Sequence, residues 1–206
     1  MNVITISREF GSGGRELGQR LASLLGYNYY DKEIISIIAE RHGLDEKYVE
    51  HALTSQNWLT LPHTFAHSFT TPIAIRAPRT DLLLEQKHII EEIAQEGKDF
   101  IVVGRNSDLL LKDYKPFNIF VCADLSARIK RCQERAAPNE DTSIKNVKRN
   151  ILRIDKNRKR TRYLLSEKDW GDRRTYHLIV NTTDWDIKEL AESVADFAKR
   201  FFNQNK

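Results

Sequence analysis

The feature that most constrains this chain is a glycine cluster between a short apolar run and a helical pattern. The segment that starts at position 4 reads ITISREFGSGGREL. β-Branched residues precede the glycines, as expected for a buried parallel strand, and leucines at helical spacing follow them. Glycines at such a turn let the backbone curl around an anion, and the free N–H groups of a helix N-terminus attract phosphate. The segment therefore predicts a phosphate-binding loop formed by Gly11, Ser12, Gly13 and Gly14.

Strand-like and helical patterns alternate along the rest of the chain. The runs DFIVVGRN, FNIFVCAD and YHLIVNTTD are predicted to contain strands, and YNYY is a shorter strand-like piece. A long helix is expected from about Asp81 to Gly97, and an amphipathic closing helix from Ile187 to Phe201. The alternation predicts an α/β fold in which helices cover both faces of a parallel sheet.

Composition and charge fit one ordinary domain. The chain has 206 residues, of which 40% are hydrophobic, and its net charge of +4 suits an anionic partner without selecting one. Cys122 and Cys132 have no partners at zinc-ligand spacing, so we expect reduced thiols. We find no signal-peptide pattern and no apolar run near the ~20 residues that cross a bilayer. We therefore expect a cytoplasmic protein without a membrane partner.

The glycine loop carries only part of the signature G-x-x-x-x-G-K-[ST]. The stretch ITISREFGSGGRELGQRLA resembles the beginning of cytidylate kinase-like proteins, a branch of the P-loop nucleoside monophosphate kinases, in which Lys-Gly-Thr follows the loop. Gly11 and Gly13 match that pattern. Arg8 replaces the first glycine and Gly14 replaces the lysine.

Two charged residues follow the loop directly. Arg15 replaces the next glycine of the family pattern, and Glu16 falls on the threonine whose hydroxyl would hold magnesium. A guanidinium offers positive charge and a planar fork to phosphate oxygens, so Arg8 and Arg15 are candidates for the role of the lysine. Glu16 is the candidate metal ligand, because Mg²⁺ accepts carboxylate oxygens. A tight turn without a ligand, flanked by surface arginines, is the alternative.

Polar residues at the ends of predicted strands mark a second candidate site, because ligands gather at the carboxyl ends of parallel strands. Asp31 follows YNYY, where it could also cap the next helix. It resembles the aspartate of the family's Leu-Asp-Ser-Gly stretch, near the acceptor nucleotide. Arg105 and Asn106 resemble the family's Gly-Arg-Asp, with an amide in place of the acid. Val103 stands where a Walker B-type acid would lie.

Residues 45–80 have the least regular pattern in the chain. Three prolines and several Thr and Ser predict an irregular insert, and the resemblance implies that this insert binds the acceptor. Arg79 and Gln86 follow at a spacing that puts both on one side of a helix. In the family, the matching region contacts the acceptor phosphate and base.

A strongly basic helix is predicted near the C-terminal third. Residues 145–162 contain nine Lys or Arg and one acid, Asp155. One interpretation is a lid region at 128–162 that closes over the donor phosphates and excludes water. Asp155 with Arg158 resembles the family's Asp-x-x-Arg region, which implies an acceptor-side role for Asp155. The candidate catalytic cations are Arg15, Arg128, Arg131 and Arg158.

The resemblance implies a single P-loop kinase-like domain over residues 1–206, with the three-layer P-loop NTPase fold, a nucleoside-monophosphate-binding insert and a lid. It implies ATP- and Mg²⁺-dependent phosphoryl transfer to a nucleoside monophosphate, most simply CMP or dCMP. A non-catalytic nucleotide-binding protein is an alternative, favoured by the missing lysine and by Asn106. A kinase of another small phosphate acceptor is a third reading. Nucleic-acid binding is disfavoured, because aromatic residues are not interleaved with the cations.

Overall fold

A five-stranded parallel sheet forms the centre of the part of the protein that the structure describes. The computed structural model describes residues 1–54, 79–138 and 140–204. The strands are β1 (Val3–Arg8), β2 (Asn28–Tyr30), β3 (Phe100–Val103), β4 (Phe117–Cys122) and β5 (Leu178–Asn181). Their order across the sheet is β2-β3-β1-β4-β5, and all pairings are parallel. The predicted parallel α/β sheet is confirmed.

Helices connect the strands and cover the sheet. They are α1 (Gly14–Leu25), α2 (Glu33–His42), α3 (Glu46–Thr54), α4 (Arg79–Gln95), α5 (Ser107–Leu110), α6 (Leu125–Glu134), α7 (Ile144–Ser166) and α8 (Ile187–Gln204). Short 3₁₀ turns lie at Lys112–Tyr114 and Arg173–Thr175. Among the described residues, we find no helix with the length and apolar character that a membrane span needs.

Two apolar cores, one on each face of the sheet, make the three layers. In β3, Ile101 packs into the core that contains Leu21 of α1 and Val194 of α8. Its neighbour Phe100 packs into the opposite core, with Ile90 of α4. This division follows from the strand geometry, since successive side chains point to opposite faces. The three-layer architecture expected from the sequence is therefore present.

The central place of β1 in the sheet determines where the glycine loop lies. β1 pairs with β3 on one side, where Ile6 lies opposite Val103, and with β4 on the other, where Arg8 lies opposite Val121. Because all strands are parallel, their carboxyl ends meet at one edge. The loop after β1 therefore emerges between the segments that follow β2, β3 and β4.

The stretch predicted as an irregular insert begins with regular structure. Residues Glu46–Thr54 form α3, and Val49 and Leu53 are buried in the core. The expectation of irregularity is wrong for this part, because the prolines that suggested it all lie further along the chain. Residues 55–78 of the predicted insert and Asn139 of the predicted lid region lie outside the described residues.

Candidate functional site

The loop between β1 and α1 requires glycine at two positions. Gly11 and Gly13 have φ values of 79° and 82°, in the left-handed region that favours glycine. A Cβ at Gly11 would lie 2.9 Å from the Arg128 carbonyl oxygen and 2.9 Å from Sγ of Cys132, a free thiol. The loop is therefore closely packed against α6, and its shape depends on the missing side chains.

Side chains distant in sequence bind the backbone of the loop between β1 and α1. Arg128 of α6 donates from Nε to the Phe10 carbonyl at 2.8 Å and forms an ion pair with Asp155 of α7. Asp155 in turn accepts from the Phe10 N–H at 2.9 Å. The Thr182 hydroxyl, just after β5, donates to the Ser12 carbonyl at 2.6 Å. Arg128 and Asp155 are buried, and they support the backbone of the loop.

A cavity of about 900 Å³ lies between the loop, α6 and α7. Gly11, Gly13 and Gly14 line it, so the N-terminus of α1 borders the space and offers its positive dipole end. The cationic side chains on its wall are Arg8, Arg15, Lys32, Arg131, Arg135, Arg149, Arg153 and Arg158. A cavity with this wall suits a polyphosphate. We call it the loop cavity.

A second cavity, of about 400 Å³, lies on the side of α3 and α4. We call it the side cavity. Gln86, Arg105 and Asn106 line it, which brings three of the predicted acceptor residues together. Other wall residues come from α3 and from the segment after α7, and they include Lys47, Glu50, His51 and Trp170. The side cavity therefore combines cationic, acidic and aromatic groups.

The two cavities meet at a common wall. The residues that line both are Arg8, Phe10, Arg15, Arg153 and Arg158. Four of these five residues are arginines, so a group located between the cavities would be surrounded by guanidinium nitrogens. Three of the cations predicted to bind phosphate or to act in catalysis, Arg8, Arg15 and Arg158, thus lie in the same place.

Burial and mutual repulsion act on the arginines of this junction. The pKa of Arg8 lies well below its ordinary value, first because of burial and then because of Arg158. Burial also lowers the pKa of Arg105, and it lowers the pKa of Arg158 to about 10 despite the neighbouring Asp155. Nε of Arg105 is buried without a hydrogen-bond partner within the described residues. Cations placed in this way favour the binding of an anion.

Arg158 connects α7 directly to the end of β1. Its Nη1 donates to the Arg8 carbonyl at 2.9 Å and lies 3.3 Å from Oδ1 of Asp155. Its guanidinium also lies 5.7 Å from the centre of the Phe10 ring. One helical turn further on, buried Arg162 pairs with buried Asp108 of α5 at 2.6 Å. The basic helix is thus attached to the end of β1 and to α5.

Asp31 makes different contacts from those expected of a helix cap. The residue before α2 is Lys32, without a side-chain cap, so the predicted capping role of Asp31 is wrong. The Asp31 carboxylate instead lies 2.5 Å from Nε of Arg15 and 3.4 Å from Nη2 of Arg8. Asp31 is not among the described residues that line either cavity.

Glu16, the candidate magnesium ligand, is engaged by two arginines. It accepts from Arg20 of the same helix at 2.8 Å and pairs with Arg135 at the end of α6. Although partial burial opposes the shift, these hydrogen bonds lower the pKa of Glu16. The described residues contain no group of three or more His, Cys, Asp or Glu that could hold a metal ion. The donor set therefore does not fit a preformed metal site, and the role of Glu16 stays a prediction.

The remaining candidates support the two cavities in different ways. Arg131 lines the loop cavity and bonds to Thr182, through Oγ1 at 3.0 Å and through the carbonyl oxygen. Gln86 donates to the Arg105 carbonyl at 3.2 Å. This bond supports a segment in which Arg105 and Asn106 both have positive φ. Arg79 begins α4, but its side chain lies outside the described part of the chain.

Several residues of the site did not emerge from the sequence. Thr182 follows the last predicted strand, so the rule on strand ends could have identified it. Lys47, Glu50 and His51 form part of the side cavity on a helix that the sequence pattern did not predict. Glu9 accepts from the Ala123 N–H at 3.2 Å and thereby links the loop to the end of β4, a contact without a local sequence signal.

Comparison with protein families shows which family this chain resembles. A model described as the cytidylate kinase-like family matches residues 3–184. The chain belongs to the cytidylate kinase-like family. Membership of this family supports phosphoryl transfer with a nucleotide donor as the general class of reaction, and it leaves the acceptor open. A search of curated proteins found no match.

Solved structures share the fold of this family member. An uncharacterized protein from Eubacterium ventriosum is 23% identical, with a TM-score of 0.69 over 97% of this chain and 99% of its own. Shikimate kinase from Bacteroides thetaiotaomicron is 13% identical, with a TM-score of 0.56 over 96% and 98% of the two chains. Shikimate kinase from Acinetobacter baumannii, in complex with shikimate, is 13% identical, with a TM-score of 0.52 over 100% and 95%. At these identities the likeness establishes the P-loop kinase fold alone.

Proposed function

We propose that the protein is a cytoplasmic kinase that transfers the terminal phosphoryl group of ATP to a nucleoside monophosphate, most simply CMP or dCMP. The observation that carries the proposal is the shared wall of the two cavities, where Arg8, Arg15 and Arg158 come together. A phosphotransferase must bring two anionic ligands end to end and neutralise the charge between them. Two cavities that meet at a group of guanidiniums suit this task.

The donor would occupy the loop cavity. Its phosphates would lie against the backbone N–H groups near Gly13 and Gly14, at the N-terminus of α1. The arginines of the 128–162 region would cover them, with Arg131 on one side and Arg149 and Arg153 on the other. In this reading residues 128–162 act as the lid and exclude water during transfer.

The acceptor would occupy the side cavity. Arg105 supplies a half-buried cation for the acceptor phosphate, and Gln86 supports its backbone. Trp170 offers an aromatic face to a base, and α3 brings further polar groups to the wall. Since α3 begins the 45–80 region, this placement supports an acceptor-binding role for that region.

Catalysis would rest on positioning and on charge neutralisation, without a covalent intermediate. Arg15 lines both cavities and presents a guanidinium near the position of the absent lysine. Arg8 and Arg158 add positive charge at the same junction. Family membership implies Mg²⁺ as the companion of ATP, held chiefly by the phosphates of the nucleotide itself.

A direct assay tests the proposal. The protein is incubated with ATP, Mg²⁺ and each common nucleoside monophosphate in turn, and diphosphate products are measured by chromatography. We expect CDP or dCDP, and we expect Arg15→Ala to reduce the turnover about 100-fold, as for other charge-stabilising groups. The exposed Lys156→Gln on the outer side of α7 serves as the control and should leave the rate unchanged. Failure of every monophosphate to become a diphosphate would rule out this acceptor class.

A nucleotide-binding protein without turnover is the second candidate. Gly14 in place of the lysine favours it. Thermal unfolding with and without ATP separates the two functions, because a ligand that binds only the folded state raises its stability. A rise in the melting temperature without any product, across all acceptors, would favour this candidate.

A further inference from the structure

Asp31 places one buried carboxylate between the two arginines that stand nearest the glycine loop. Its side chain is only 4% exposed, and its two oxygens face different partners, Oδ2 towards Arg15 and Oδ1 towards Arg8. Building on the proposed function, we propose that Asp31 is a positioning residue. It holds Arg8 and Arg15 as a fixed pair of guanidiniums that binds the phosphoryl group at the junction of the two cavities.

The path of the Arg8 side chain supports a fixed pair. A Cβ at Gly14 would lie 2.6 Å from Cβ of Arg8, and a Cβ at Gly104 would lie 1.6 Å from its Nη1. Two glycines, one at the start of α1 and one after β3, thus make the space through which this side chain runs. Arg158 holds the backbone of the same residue through the Arg8 carbonyl. Arg8 is thereby constrained at both ends, and Asp31 contacts its terminal nitrogen.

The contact with Arg15 has a different geometry. Asp31 lies against Nε of Arg15, so this contact leaves the outer edge of the guanidinium, formed by one N–H of each terminal nitrogen, for another ligand. The Arg15 side chain is 51% exposed and lines both cavities. An arginine held through Nε keeps a terminal N–H pair for a phosphate oxygen and loses much of its rotational freedom.

The charge balance explains why one carboxylate is useful at this point. Arg8, Arg15, Arg105 and Arg158 influence one another electrostatically, and Asp31 is the acid that raises the pKa of Arg8 against their effect. Without Asp31 the two guanidiniums nearest the loop would repel each other and separate. With it, they stay close and keep a net positive charge for an anion.

A role as acceptor ligand, which the family resemblance implies for Asp31, predicts different contacts. Asp31 is buried, both of its oxygens face arginines, and its backbone N–H is bonded to Glu33 at 2.7 Å. A carboxylate that binds an acceptor would need an oxygen on the wall of the side cavity. The described lining of that cavity does not include Asp31.

The test is Asp31→Asn, which keeps the size of the side chain and removes its charge. We expect kcat to fall roughly 10- to 100-fold, because the arginines lose their fixed orientation. The KM for ATP should change less than kcat, because losing a negative charge near the donor phosphates partly offsets the loss of orientation. The exposed Asp196→Asn, which breaks the surface pair with Lys199 on α8, is the control and should change neither parameter. An unchanged kcat, or a rise confined to the KM of the acceptor, would overturn the proposal.

A double-mutant cycle separates this inference from the proposed function. The affinity of pyrophosphate is measured by calorimetry for the wild type, Asp31→Asn, Arg15→Gln and the double variant. If Asp31 acts through Arg15, its replacement has an effect in the wild type and little effect in the Arg15→Gln background. This result would support the positioning role even if no acceptor is phosphorylated. Additive effects, or no binding of pyrophosphate to any of the four proteins, would contradict it.

Discussion

At the scale of single residues, the site depends on side chains that are absent as much as on those present. Gly104 has a φ of 80°, and the guanidinium of Arg8 occupies the space where its Cβ would be. Gly97 has a similar φ of 72°, yet among the described residues a Cβ at this position would face open space. Alanine at Gly97 would therefore add backbone strain alone, whereas alanine at Gly104 would add the same strain and also displace Arg8.

This pair gives a prediction for alanine substitution. Gly97→Ala should destabilise the protein by about 1–2 kcal/mol, the cost of a left-handed alanine, and leave turnover unchanged. Gly104→Ala should cost at least as much and also lower turnover by roughly 100-fold, because Arg8 must leave its position. Urea unfolding and the kinase assay measure the two effects. Equal turnover in both variants would show that the position of Arg8 is unimportant.

The sequence singled out candidate residues where their signal is local. Arg8 and Arg15 were candidates because they flank a glycine loop, and the structure brings both to one wall. The contacts that these residues make with distant parts of the chain could not be predicted in the same way. Asp31 meets Arg8 across 23 positions, and Thr182 meets Ser12 across 170 positions. Such contacts follow from strand order, which a single sequence does not specify.

At the scale of secondary-structure elements, a buried ion pair fastens α7 to α5. Arg162 and Asp108 have exposures of 0% and 1%. Nε and Nη2 of Arg162 and Oδ1 of Asp108 are buried without partners among the described residues. Charges in such a place are costly unless both remain, so each depends on the other. The pair lies one turn beyond Arg158 on the same helix.

Removing one partner should be severe, whereas removing both should be mild. Asp108→Asn should lower the free energy of unfolding by about 3–5 kcal/mol, because it leaves the Arg162 charge uncompensated. The double variant Asp108→Leu with Arg162→Met should recover most of that loss. Urea denaturation of the wild type, Asp108→Leu, Arg162→Met and the double variant gives the coupling energy of the pair. Equal destabilisation of the single and double variants would mean that the pair acts by shape rather than by charge.

A histidine between β4 and α8 gives the molecule a pH dependence remote from the site. His177 stacks on Phe117 and lies tilted against Phe201, and its Nδ1 accepts from the Asn118 N–H at 3.0 Å. Burial lowers the pKa of His177 below its ordinary value of 6.5. The unfolded chain therefore binds a proton more readily, and stability should be lost as the pH falls below 6.5 through the folded pKa. His177→Asn, which keeps an acceptor oxygen, should flatten the change between pH 7.5 and pH 5 in urea unfolding.

Strands and long helices were predicted more reliably than short helices and the contacts between elements. Short apolar runs and helical periodicity were enough to find β1, β3, β4 and β5, because a buried strand must be apolar whatever it contacts. α3 was missed, since its two buried residues are too few to stand out beside a proline-rich neighbour. Apolar periodicity in a sequence shows that one face of a helix is buried, and a short helix has too few residues for the periodicity to be recognised.

At the scale of the whole molecule, the central position of β1 brings the loop cavity and the side cavity together at one loop. The connection after β3 contributes to the side cavity, whereas the connection after β4 contributes α6 to the loop cavity and α7 to both. Neither cavity is formed by one continuous segment. The function we propose therefore depends on the order of the strands in the sheet, and no single sequence motif is sufficient for it.

The common wall leads to a prediction about a ligand that occupies both cavities. Adenosine and cytidine joined through a chain of phosphates should bind at least roughly 100-fold more tightly than ATP, because the second half binds at a high effective concentration. Arg153→Gln, on the shared wall, should weaken the linked nucleotide, whereas Lys156→Gln on the outside of the same helix should not. Calorimetry compares the affinities. If the linked nucleotide binds no better than ATP, the cavities are not joined through this wall, and transfer between them would need a different arrangement of α7.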